Sequence, residues 1–132
     1  MRQAEYVKSV RDLLDAVARR DLARLLELTD PEIEWQSFFA LHGQEYHGHE
    51  GIRRYLSDLG EAFDYLRPLP DDLLGVGEVV VGAGRIHYRG RASGVETESS
   101  AAGWMFKFRD GRVLRFRAFR EPERALEALG LP

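Results

Sequence analysis

Arg85 and His87 are the residues of this chain whose types and spacing best suit proton chemistry. They lie two apart in the run Arg85-Ile86-His87-Tyr88-Arg89. The period of two places Arg85, His87 and Arg89 on one face of a strand, with Ile86 and Tyr88 on the other. An imidazole accepts and returns a proton near neutral pH, so His87 is the first candidate for general acid/base work. A guanidinium beside it favours the neutral ring and can hold a developing oxyanion, the role open to Arg85. The competing reading is a buried histidine hydrogen-bonded to a neighbour. The other three histidines, His42, His47 and His49, fall within eight residues of one another. Metal ions use such clusters. This one lacks cysteine and lacks carboxylates at helical spacing, and His49 sits where a helix begins. It reads as a helix cap, so no metal and no other cofactor is expected.

The elements that must position Arg85 and His87 follow from the surrounding pattern. From Arg85 to Arg120 the chain forms three strand-like runs joined by two turns. The second run ends in Trp104-Met105-Phe106-Lys107-Phe108, and the third alternates Arg115, Arg117 and Phe119 with Phe116, Ala118 and Arg120. Asp110-Gly111 between them predicts a tight hairpin, because both residues tolerate positive φ. Upstream, Tyr6, Val7, Val10, Leu13, Leu14 and Val17 make the apolar stripe of a first helix. Asp21 can cap a short second helix carrying Leu22, Leu25 and Leu26. Thr29-Asp30-Pro31 ends that helix, and Ile33 and Trp35 alternate with acids as a short strand. After an irregular stretch, Ile52, Tyr55, Leu56, Leu59 and Phe63 line a third helix. Pro68 and Pro70 break the chain and confine the next strand, Leu73 to Val76, to a short or edge piece. Gly82 and Gly84, inside the strand that reaches Arg85, suggest a bend or bulge. Pro122 opens a last helix from Glu123 to Leu129, closed by Gly130.

Composition bounds the function. At 132 residues, 44% apolar and 31% charged, the chain suits one globular domain, residues 1–132, with a single core. There is no cysteine, which fits a reducing compartment, and the chain opens directly on an amphipathic pattern. A cytoplasmic location is therefore expected. No apolar run approaches the ~20 residues that cross a bilayer, so no membrane partner is expected. The net charge is −3 with acids and bases interleaved, which argues against a nucleic-acid partner.

Helices segregated from an antiparallel sheet indicate an α+β fold, here a strongly bent sheet covered on one side by three helices and enclosing a pocket. The sequence also resembles a known family. The opening Leu13-Leu14-Asp15-Ala16-Val17-Ala18-Arg19-Arg20-Asp21-Leu22, then Asp30-Pro31-Glu32-Ile33-Glu34-Trp35, is similar to the SnoaL-like branch of the NTF2-like superfamily. So are Tyr46-His47-Gly48-His49-Glu50-Gly51-Ile52, Gly94, the hairpin Phe108-Arg109-Asp110-Gly111-Arg112-Val113 and the ending Ala125 to Leu131. Members include polyketide cyclases, steroid isomerases and limonene-epoxide hydrolases, so the resemblance implies a cone fold without naming a reaction.

Carried over residue by residue, the resemblance puts Leu13, Trp35 and Trp104 where the steroid isomerase has its tyrosine and two aspartates. It puts Arg85 and His87 on an Arg-x-Asp pair of the epoxide hydrolase, and Ala118 on that enzyme's second aspartate. It implies that Arg85, His87, Trp104, Phe116, Ala118 and Arg120 point into the cone, with Trp35 and Tyr55 at its rim. It also implies a homodimer through the outer sheet face, where Met105 and Phe119 stand beside Arg115 and Arg117. Two function classes follow. One is a cofactor-free isomerase, cyclase, dehydratase or hydrolase acting on a small apolar or aromatic molecule through His87 and Arg85. The other is a non-catalytic ligand-binding or dimerisation module.

Overall fold

The computed structural model describes residues 2–37, 45–91 and 98–127. Their order is α1 (Arg2–Arg19), α2 (Leu22–Leu28), β1 (Thr29–Gln36), β2 (Tyr46–His47), α3 (Gly48–Ala62), β3 (Phe63–Val76), β4 (Val79–Gly90), β5 (Glu98–Arg109), β6 (Arg112–Phe119) and α4 (Pro122–Glu127). The predicted Gly94 turn and the close of the last helix at Gly130 lie outside the described residues.

The helices form where the apolar stripes place them. α1 buries Tyr6, Val10, Leu13, Leu14 and Val17. Asp21 caps α2, its carboxylate accepting from the Arg24 N–H at 3.1 Å. α3 buries Ile52, Tyr55 and Leu59. The entry to α3 differs from expectation. His47 is the residue at the cap position and makes no capping bond with its side chain. His49 instead places Nε2 3.0 Å from the carbonyl oxygen of Thr29, tying the first turn of α3 to the start of β1.

The six strands make one bent, unclosed sheet in the order β2-β1-β6-β5-β4-β3. Four of the five strand pairings are antiparallel, but β1 runs parallel to β6. These two are joined through the whole intervening sheet, so no tight turn fixes their relative direction. The hairpin between β5 and β6 has Asp110 at φ 52° and Gly111 at φ 80°, the geometry the Asp-Gly pair predicts.

β3 is longer than the prolines suggested. It runs for 14 residues through both Pro68 and Pro70, pairing with β4 along its length. It is the last strand of the sheet, where donors on the outer side are dispensable, so proline is tolerated. Its register with β4 shifts between Pro70 and Asp72, and there the β3 backbone crosses Gly84 closely. A Cβ on Gly84 would overlap the carbonyl oxygen of Leu69, so the bend requires glycine there.

The core fills the space between α1, α2, α3 and the concave face of the sheet. Trp35, Trp104 and Phe106 are among its largest fully buried side chains. Phe116 sits 4.3 Å from Trp35 and 4.9 Å from Phe106, ring centre to ring centre. Rings of this size bury 150–250 Å² each, so this cluster dominates the favourable side of folding. A smaller cluster lies on the convex face, where Ala125 of α4 covers Val81 and Met105.

Candidate functional site

The alternation along β4 decides which residues reach the interior. Val80 and Ile86 are buried in the core, at 0% and 4% exposure. The pairing of β4 with β5 has no shift, so every even-numbered residue from Val80 to Tyr88 shares that face. Arg85 and His87 therefore lie on the convex face, Arg85 exposed and His87 half-buried. The expectation that they line the cone is corrected by one residue of register. A slip of one flips every side chain of a strand to the other face. The cause is energetic: an arginine facing this aromatic core would be desolvated without a partner.

Five of the eight residues predicted to line the site do meet. Trp35, Tyr55, Trp104, Phe116 and Ala118 surround a cavity of about 20 Å³, closed further by Ile86. Trp35 is 1% exposed and Tyr55 5%, so both lie deep rather than at a rim. Arg120 follows the last residue of β6 and is exposed, away from the cavity. Leu13, Trp35 and Trp104, which the resemblance aligns with the acid and hydroxyl groups of the isomerase, are all fully buried core.

Ser37 joins this cavity lining, and sequence reasoning left it out. Its signal was the period of two itself: Ile33, Trp35 and Ser37 succeed one another on one face of the chain. Ser37, Trp35 and Tyr55 together form a polar corner in an otherwise apolar chamber. Burial pushes the Tyr55 hydroxyl up to about 12, while Ser37 and Trp35 beside it pull slightly the other way. The hydroxyl stays protonated at neutral pH and serves as a donor rather than a base. The Trp35 Nε1–H points at that hydroxyl, yet it is buried and meets no acceptor in full hydrogen-bonding geometry among the described residues. Among the described residues lining the cavity there is no carboxylate and no imidazole.

Elsewhere the described charges are handled conventionally. Asp30 is the one buried carboxylate, and Arg109 reaches it twice, at 2.9 and 3.2 Å. Asp30 also accepts the Glu32 N–H at 2.8 Å. The Arg109 bonds, then the Glu32 N–H, hold the Asp30 carboxyl below its usual range. The outer face expected to join two copies is partly taken by α4: Met105 is 8% exposed beneath it, and Phe119 is half-buried.

Residues 10–116 match the SnoaL-like domain. The chain belongs to the SnoaL-like domain family. No curated protein matches this SnoaL-like chain. Solved structures share its fold. An NTF2-like protein of unknown function from Burkholderia pseudomallei K96243 is 20% identical, with 93% of this chain and 95% of that one covered and a TM-score of 0.78. An NTF2-like protein from Burkholderia thailandensis E264 is 24% identical, with 95% and 96% covered and a TM-score of 0.74. TerC, co-crystallised with polyporic acid, is 19% identical, with 96% and 99% covered and a TM-score of 0.76. At these identities the likeness establishes the SnoaL-like, NTF2-like fold.

Proposed function

We propose that this SnoaL-like domain binds a small, flat, largely apolar molecule inside its cone, and that Trp35 and Tyr55 hold an acceptor oxygen of that molecule. The observation that carries this reading is the buried Trp35 Nε1–H, which has the Tyr55 hydroxyl beside it but meets no acceptor in full hydrogen-bonding geometry among the described residues. A buried donor left unpaired costs about 1–3 kcal/mol, which an incoming carbonyl or ether oxygen recovers. The Tyr55 hydroxyl, kept protonated by burial, supplies a second donor to the same oxygen. The rings of Trp35, Trp104 and Phe116 supply faces for a planar ligand.

The size of the chamber sets the manner of binding. A cavity of about 20 Å³ admits one water molecule. Ligand pockets measure roughly 300–1,000 Å³. A ring-sized ligand therefore enters only as the lining side chains separate, and ligand binding and loosening of the core are coupled.

The same inventory favours binding without turnover. Neutral donors polarise a carbonyl, but acid/base catalysis needs a group that takes up a proton near pH 7. His87, the sequence candidate for that task, is on the far side of the sheet. The chain has two tryptophans, and both line the cavity, so their fluorescence reports on it directly. Titration with aromatic ketones, quinones and polyporic acid should quench or shift this emission saturably. Tyr55→Phe should weaken the response about tenfold, the ~1.4 kcal/mol of one hydrogen bond. Unchanged emission across the panel, or turnover that His87→Gln abolishes, would overturn the reading.

A further inference from the structure

Arg85 and His87 leave the interior, and the pairing of β3 with β4 shows what they join instead. Arg67 stands directly opposite His87 in the register, and Leu69 opposite Arg85. Directly opposed residues share a face with Cβ atoms about 5 Å apart, and diagonal neighbours are within about 7–8 Å. Arg67, His87 and Arg85 are thus one contiguous group on the convex face. Arg67 and Arg85 are exposed. The guanidinium of Arg67 rests over the Tyr65 ring, 5.0 Å from its centre, which restricts its orientation.

The group lacks what its neighbours have. On the same sheet Arg89 reaches Asp64 at 3.5 Å, Arg115 reaches Glu34 at 3.2 Å, and Arg109 reaches Asp30. Arg67 and Arg85 form no ion pair among the described residues. Like charges at adjacent cross-strand positions repel, and the usual remedy is an interleaved acid. The adjacent positions on β3 carry Leu69 and Tyr65 instead, and on β5 Ala101 stands opposite Arg85 and Ser99 opposite His87.

We propose that Arg67, Arg85 and His87 form a binding site for the phosphate group of a small molecule. Each guanidinium offers a planar fork of donors suited to two oxygens. One carboxylate is satisfied by a single such fork. A phosphate or diphosphate has enough oxygens and charge to engage both forks and the imidazole between them. A longer polyanion does not fit, because a nucleic-acid footprint needs an extended basic surface. This patch is bordered by Leu69 and Ala83, and the chain as a whole is acidic.

The test is calorimetric titration of the intact protein with inorganic pyrophosphate at low ionic strength. Saturable binding at one site per chain is expected. Arg85→Gln and Arg67→Gln should each weaken it at least tenfold, while Arg53→Gln, an exposed arginine on α3, should leave it unchanged. Tryptophan emission should stay constant throughout, which separates this site from the interior one. Absence of binding overturns the proposal. So does binding that Arg53→Gln weakens equally, since that reports general charge attraction. If Arg67→Gln and Arg85→Gln instead convert a dimer to monomers without any effect of pyrophosphate, the group is a contact between two copies and the proposal fails.

Discussion

Two faces of one strand divide the chemistry of this molecule. On the concave side of β4, Ile86 completes a chamber of rings whose polar groups are neutral donors. On the convex side, Arg85 and His87 stand in reach of water beside Arg67. The side chains with the most reactive chemistry face outward, and the chamber holds almost none. Solvation explains the division. A small cone lined by rings has room for little water and, among the described residues, no counter-charge, so an ion placed there would cost several kcal/mol. Donors without charge can be kept inside at modest cost. The one buried carboxylate among the described residues, Asp30, sits beyond the chamber and is inside because Arg109 and a backbone N–H satisfy it.

The contrast can be broken at several points. Trp104→Ala should have the largest effect, about 3–5 kcal/mol, because a fully buried ring is replaced by a void. Urea unfolding measures it, and a loss under ~1 kcal/mol would mean that the chamber is not a packed core. Asp30→Asn comes next, at about 1–3 kcal/mol, since it removes charge-assisted bonds and leaves Arg109 without its main partner. Its pH dependence has a definite sign. The folded carboxyl titrates below its unfolded value, so its stabilisation is complete above the ordinary carboxylate range. It is lost as pH falls through the lowered folded value. Wild type should therefore lose stability on that acid limb, and Asp30→Asn should lose less. The smallest effect belongs to the convex face. Arg85→Gln and His87→Gln should each change stability by no more than about 0.5 kcal/mol. A larger loss from either would place that side chain in the fold's support and blur the division between the faces.

Hydrophobic periodicity carried most of the fold. The stripes of α1 and α3, the Asp21 cap and the Asp-Gly hairpin were all readable because each depends on neighbours in sequence. The parallel pairing of β1 with β6 was not, since it joins segments some 80 residues apart through tertiary packing alone. Pro68 and Pro70 pointed to a short or edge strand: β3 is the edge, but it is 14 residues long, because an edge position lets a strand run through proline. Around the cavity, the family resemblance pointed Trp104, Phe116 and Ala118 inward, where they lie, but put Trp35 and Tyr55 at a rim, where both are in fact buried. The likeness to an Arg-x-Asp pair points Arg85 and His87 inward, against the alternation of β4. The plain pattern, Ile86 and Tyr88 against Arg85, His87 and Arg89, already assigned the apolar pair to the core.

The two prolines of β3 also bear on how this protein behaves when crowded with copies of itself. β3 is 14 residues long, and Leu69, Leu74 and Val76 on it are exposed. A bare edge of that length and character is a template onto which another chain can add, and repeated addition builds fibres. Pro68 and Pro70 take two N–H donors out of the strand, and the register shift beside Pro70 kinks it. At the opposite end of the sheet, β2 is only two residues long. Neither described border of the sheet therefore offers a long, flat, fully hydrogen-bonding rim, and these interruptions serve as gatekeepers of solubility.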